Sequence, residues 1–129
     1  VADLPAMKKL FALLDMNASG IEEVPEQGVR THFIRVLSED AQIELLEPID
    51  SNGAVSKFIE KKGPGIHHLS FRLSPGELHP ICAVLRAEGY RLIYENPKKG
   101  AHGMKINFIH PASAGGVLVE LMEPGEASE

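Results

Sequence analysis

A chain of 129 residues with 43% hydrophobic and 24% charged content can bury one sizeable core and falls within the single-domain range. Its net charge of −5, with no dense Lys/Arg run, argues against nucleic acid as a general partner, since neutralising phosphates takes clustered cations. Cys82 is the only cysteine, which excludes an intrachain disulfide, and no run of about 18 apolar residues offers a membrane span.

Nothing at the amino terminus has the pattern of a signal or transit peptide, although a start at Val1 leaves an earlier leader open. From Asp3, a plausible N-cap, Leu4, Met7, Leu10, Phe11 and Leu14 recur at helical spacing, with Pro5 in the first turn. Asn17-Ala18-Ser19-Gly20 stops that helix, and Ile21 to Val24 reads as a short strand. A loop over Pro25-Glu26-Gln27-Gly28 leads to a strand from about Val29 to Leu37. Ser38-Glu39-Asp40 is the turn of a hairpin whose second strand runs from Ala41 to Glu47. Asp50-Ser51-Asn52-Gly53 is turn chemistry, and Val55, Phe58 and Ile59 mark a short helix ending at Gly63.

After Gly63-Pro64-Gly65 comes an alternating run. Extended, it puts His67, Leu69, Phe71 and Leu73 on one face and Ile66, His68, Ser70 and Arg72 on the other. Ser74-Pro75-Gly76-Glu77 is a capping box with Pro in the first helical position. Leu78, Ile81, Cys82 and Leu85 form the buried stripe of the helix it opens, and Gly89 ends it. Strands are expected over Arg91 to Glu95, Met104 to His110 and Val117 to Glu123, with a loop from Asn96 to Gly103. The tail from Pro124 has no large apolar anchor, so residues 125–129 are expected to be disordered.

The two halves repeat. Glu44-Leu45-Leu46-Glu47-Pro48 returns as Glu120-Leu121-Met122-Glu123-Pro124, and the element order upstream of each copy is the same. The fold class this implies is α+β: paired βαβββ units, residues 1–62 and 63–124, in one domain whose curled mixed sheet surrounds a concave metal site. The second half opens with the strand carrying His68, whereas the first opens directly with a helix. The residue matching His68 would fall roughly four positions before Val1 by the fixed repeat register, so a first strand is expected to be missing or supplied otherwise.

Glu44 and Glu120 stand at equivalent places on equivalent strands, and His68 leads the second half. A neutral imidazole and two carboxylates directed into one space suit a divalent ion such as Co, Mn, Ni, Zn or Mg, with positions open to substrate. The plainer reading, two solvent-facing glutamates and a solvated histidine, leaves unexplained why each carboxylate sits among apolar neighbours.

Several stretches resemble the methylmalonyl-CoA epimerase family. They are 23–29 (EVPEQGV), 42–48 (QIELLEP), 65–69 (GIHHL), 100–103 (GAHG), 108–111 (FIHP) and 115–121 (GGVLVEL). Their order and spacing cover nearly the whole chain from Asp3 to Met122. That family belongs to the vicinal oxygen chelate superfamily, with glyoxalase I, extradiol dioxygenases and the bleomycin and fosfomycin resistance proteins. The resemblance implies metal ligands at Glu44, His68 and Glu120, with a further histidine on the first strand. It implies an isomerase that interconverts (R)- and (S)-methylmalonyl-CoA by metal-assisted proton abstraction through an enolate. Glu120 is the expected base. Some relatives place a second base at the position of Thr31, whose hydroxyl cannot serve as one near neutral pH.

The partners implied are a small acyl-CoA substrate, its phosphates near Lys98 and Lys99, and a second copy of the chain, with no nucleic acid and no membrane. The expected compartment is cytoplasmic in a bacterium and the mitochondrial matrix in a eukaryote. The alternatives are a glyoxalase I-like lactoylglutathione lyase, an extradiol dioxygenase, a non-enzymatic drug-binding protein of the same fold, and a degenerate domain without activity.

Overall fold

The computed structural model describes residues 1–16, 18–35 and 41–125. It divides into two compact units, Val1–Ile66 and His67–Glu129. Each is an α+β arrangement of a sheet with helices, of the βαβββ type expected from the repeat.

In the first unit, α1 (Leu4–Leu13) begins where Asp3 accepts a hydrogen bond from the Ala6 N–H at 3.0 Å, with Pro5 in the first turn. Three strands follow in the order β1 (Ala18–Val24), β2 (Val29–Arg35) and β3 (Gln42–Pro48), all antiparallel. β1 starts earlier than its apolar residues suggest, because Ala18 and Gly20 pair with Ile34 and Phe33 across a register shift. The expected hairpin turn over Ser38-Glu39-Asp40 lies outside the described residues. Gly28 closes the turn between β1 and β2 at φ +66°, and a Cβ there would stand 3.1 Å from the Cβ of Asp50. Position and space both call for glycine. Asp50 accepts from the Asn52 N–H, Gly53 precedes α2 (Ala54–Lys62), and Gly63 ends that helix.

In the second unit, the sheet order is β4 (His68–Arg72), β7 (Leu118–Glu123), β6 (Lys105–Ile109), β5 (Lys98–Lys99). β4 runs parallel to β7 and the other pairs are antiparallel. Helix α3 (Leu78–Ala87) covers one face through Leu78, Cys82 and Leu121, with Ile81 and Leu85 packed against them. The opposite face carries a second cluster of Met104, Ile106 and Phe108, flanked by Tyr94, Leu118 and Met122.

Three expectations are corrected here. Helix α3 starts at Leu78 and not at Pro75, although Glu77 does reach back to the Ser74 N–H at 3.1 Å. The reason is distant in sequence: Glu123 accepts from the backbone N–H groups of Gly76 and Leu78, so the cap comes from β7. Arg91 to Glu95 forms no strand, only a bridge from Leu92 to Ile109. There the Asn107 side chain takes the Tyr94 N–H and donates to the Tyr94 carbonyl, replacing ladder bonds. Finally, the loop from Asn96 to Gly103 contains the short strand β5. Of the tail, residues 126–129 lie outside the described residues. Among those described, no helix is long and apolar enough to cross a membrane.

Candidate metal and proton-transfer site

The repeat seen in the sequence is reproduced in the strand registers. Glu44 pairs with Phe33 across β2 and β3, and Glu120 pairs with Phe108 across β6 and β7. Thr31 pairs with Leu46 on the same face as Glu44, two residues along, and is 2% exposed. Its hydroxyl has no acid or base chemistry of its own near neutral pH.

In the second unit, β4 and β7 bring two of the three expected ligands together. Glu120 stands opposite Ser70, and His68 is two residues before Ser70 on the same face. Glu120 is buried, 7% exposed, and its Oε1 accepts from the Ser70 hydroxyl at 2.8 Å. The His68 Nε2 lies 3.6 Å from that same oxygen. The Phe108 ring meets His68 edge to face at 6.2 Å between centroids, giving the pair an apolar wall. Glu44 belongs to the first unit. Among the described residues, no three His, Cys, Asp or Glu side chains gather into a group that could hold an ion.

The His67 Nδ1 lies 3.0 Å from the His68 Nδ1, a contact that requires one ring to donate and the other to accept. Burial and the neighbouring His68 hold the His67 imidazole down at about 4, so it is neutral at pH 7. When His68 is the donor, its Nε2 presents a lone pair towards the Glu120 carboxylate. Two electron-pair donors then face each other, which a cation reconciles. Ligand atoms about 2.1 Å from one ion at the tetrahedral angle stand about 3.4 Å apart, close to the separation seen. The donor chemistry of this pair fits a divalent ion.

Sequence reasoning did not single out Ser70, Phe108 or His67 as parts of the site. The alternation of β4 puts Ser70 on the face of His68, but its partner Glu120 is 50 residues away. A further polar cluster in the first unit also went unread. Arg30 bridges Glu23 and Glu47 at 2.9 and 3.0 Å, and buried His32 lies 3.3 Å from Glu47. The His32 contact and Arg30 hold the Glu47 carboxyl below its usual range. Burial pushes the Cys82 thiol up, in keeping with a core side chain that has no nucleophilic role.

Comparison with known proteins identifies the family. The profile of the Glyoxalase/Bleomycin resistance protein/Dioxygenase superfamily matches residues 1–108. The chain is a member of that superfamily. It is 41% identical to methylmalonyl-CoA epimerase from Mycobacterium tuberculosis, whose crystal structure superposes with a TM-score of 0.89 over 98% of this chain and 83% of that one. It is 32% identical to Streptomyces coelicolor methylmalonyl-CoA epimerase variants solved in complex with 2-nitronate-propionyl-CoA, with a TM-score of 0.85 over 97% of this chain and 91% of theirs. Mitochondrial methylmalonyl-CoA epimerase of Dictyostelium discoideum is 42% identical over 100 residues, 76% of this chain and 57% of that protein. The chain thus spans little more than half of that relative's length. Within the superfamily, the chain belongs to the methylmalonyl-CoA epimerase family.

Proposed function

We propose that this chain epimerises methylmalonyl-CoA, removing the proton from the carbon between thioester and carboxylate and returning one from the opposite face. The observation that carries this reading is the buried Glu120 carboxylate, held by Ser70 and facing the His68 imidazole. Ser70 and His68 both address Oε1, which leaves Oε2 as the atom that takes the proton. The Phe108 ring gives the pair an apolar neighbour. His68 acts as a ligand and transfers no proton. Glu44, His68 and Glu120 would hold a divalent ion, Co, Mn, Ni, Zn or Mg, which would supply Lewis-acid stabilisation of the charge that develops on the thioester oxygen.

The second proton-transfer group is not Thr31. Residues 1–124 act as a single vicinal-oxygen-chelate domain, functioning as a homodimer. Support for the pairing comes from the edge strands that terminate both sheets. Lys98 and Lys99, exposed on β5, would meet the phosphates of CoA.

The test is deuterium incorporation at the α-carbon of methylmalonyl-CoA in heavy water, with and without a chelator. Exchange should require the ion and fall about 10²- to 10⁴-fold in Glu120→Gln. A metal-loaded protein that catalyses no exchange would overturn the reading.

A further inference from the structure

Strand alternation would set His67 and His68 on opposite faces, but β4 begins at His68, and His67 stands just before it. The two rings instead meet almost at right angles, 5.2 Å between centroids, with Nδ1 3.0 Å from Nδ1. That contact is a hydrogen bond only if one of the two nitrogens carries a proton. The far side of the His68 ring tells which. Its Nε2 lies 3.6 Å from the Glu120 Oε1, too long for a hydrogen bond, although that oxygen is fixed by the Ser70 hydroxyl at 2.8 Å. A proton on the His68 Nε2 would draw the ring towards the carboxylate. The distance therefore fits a proton on the His68 Nδ1, donated to the His67 Nδ1, and a lone pair on the His68 Nε2. A neutral imidazole has one proton to place, and the nitrogen that donates it leaves the other as the ligand atom.

We propose that His67 is a positioning residue: by accepting at Nδ1, it fixes His68 in the tautomer whose Nε2 can bind a divalent ion. His67 then carries its own proton on Nε2. It acts through His68 and takes no part in proton transfer. This assignment rests on the metal site of the epimerase reading, and deepens it by naming the residue that prepares His68 before any ion arrives.

The test reads the protonated nitrogen of each ring by ¹⁵N NMR of the metal-free protein, and then cobalt(II) affinity by equilibrium dialysis. At about pH 8, above the ordinary histidine range, the wild-type spectrum should show His68 protonated on Nδ1 and His67 on Nε2. His67→Leu removes the acceptor, so the Nδ1–H preference of His68 should be lost and cobalt(II) binding should weaken about 10- to 100-fold. His67→Asn should restore both, because its Oδ1 stands as many bonds from Cβ as Nδ1 does and accepts in the same place. A merely structural role would not move the tautomer of His68. Wild-type His68 protonated on Nε2, or cobalt(II) binding unchanged in His67→Leu, would overturn the proposal while leaving proton transfer by Glu120 intact. Where His67→Leu does not fold, the wild-type and His67→Asn spectra decide: Nδ1–H on His68 in both supports the proposal, and Nε2–H in either overturns it. A wild-type protein that binds no cobalt(II) would overturn the metal site and this role with it.

Discussion

The two units share a strand register and differ in what stands behind it. His32 in the first unit and Asn107 in the second hold the same register, opposite Leu45 and Leu121. Asn107 is fully buried and satisfied: it accepts from the Tyr94 and Phe108 N–H groups and donates to the Tyr94 carbonyl and the Cys82 sulfur. His32 is also buried, but among the described residues its Nδ1 has no partner, and its Nε2 faces Glu47. The acid at the next matched position follows suit. Glu47 is drawn to His32 and Arg30, whereas Glu123 caps the start of α3. The helices register the difference. Helix α3 buries Leu78 and Cys82, while α1 buries none of its residues and leaves Leu10, Leu13 and Leu14 exposed. The strand frame that positions Glu44 and Glu120 is thus independent of how tightly each helix is fastened to it.

Breaking the tighter half should cost the most. Leu78→Ala should destabilise the protein by about 4 kcal/mol, through lost burial and the cavity left under α3, read from urea unfolding. Asn107→Ala should cost about 3 kcal/mol by leaving the Tyr94 backbone groups unpaired. It should also speed amide exchange at Tyr94. A smaller, pH-dependent effect sharpens the contrast in the first unit. The Glu47 carboxyl is held low in the fold, so its contribution is present above its ordinary value of 4.5 and disappears as pH falls through the lowered one. The stability difference between wild type and Glu47→Gln should therefore be constant above about pH 5.5 and shrink in more acid solution. Smallest of all, Leu13→Ala on α1 should move stability by less than about 0.5 kcal/mol. A large loss there would mean that α1 is fastened as firmly as α3.

Much of the frame could be read from the chain. The paired Glu-Leu-Leu-Glu-Pro and Glu-Leu-Met-Glu-Pro stretches carry the register that sets Glu44 against Phe33 and Glu120 against Phe108. Local signals also held at Asp3, Gly28, Gly63 and Gly89, where a cap or a turn depends on near neighbours. What escaped depends on side chains reaching across the fold. The start of α3 is set by Glu123, and the expected strand at Arg91 to Glu95 is interrupted by Asn107. Ser70 acquires its role only when β7 arrives beside β4. A single hydroxyl gives no sign of that in sequence, because serine on a strand is ordinarily just solvated.

The pairing of β4 has a consequence for biosynthesis. Among the described residues its one strand neighbour is β7, and Ser70 meets Glu120 across 50 residues of chain. At about 5 to 20 residues per second, a ribosome needs about 2.5 to 10 s to add that stretch. Until then the histidine strand has no ladder, and Leu69 and Phe71, still half exposed in the finished fold, stand beside an open backbone edge. The pairing of Ser70 with Glu120 is therefore completed only when the last strand has been made.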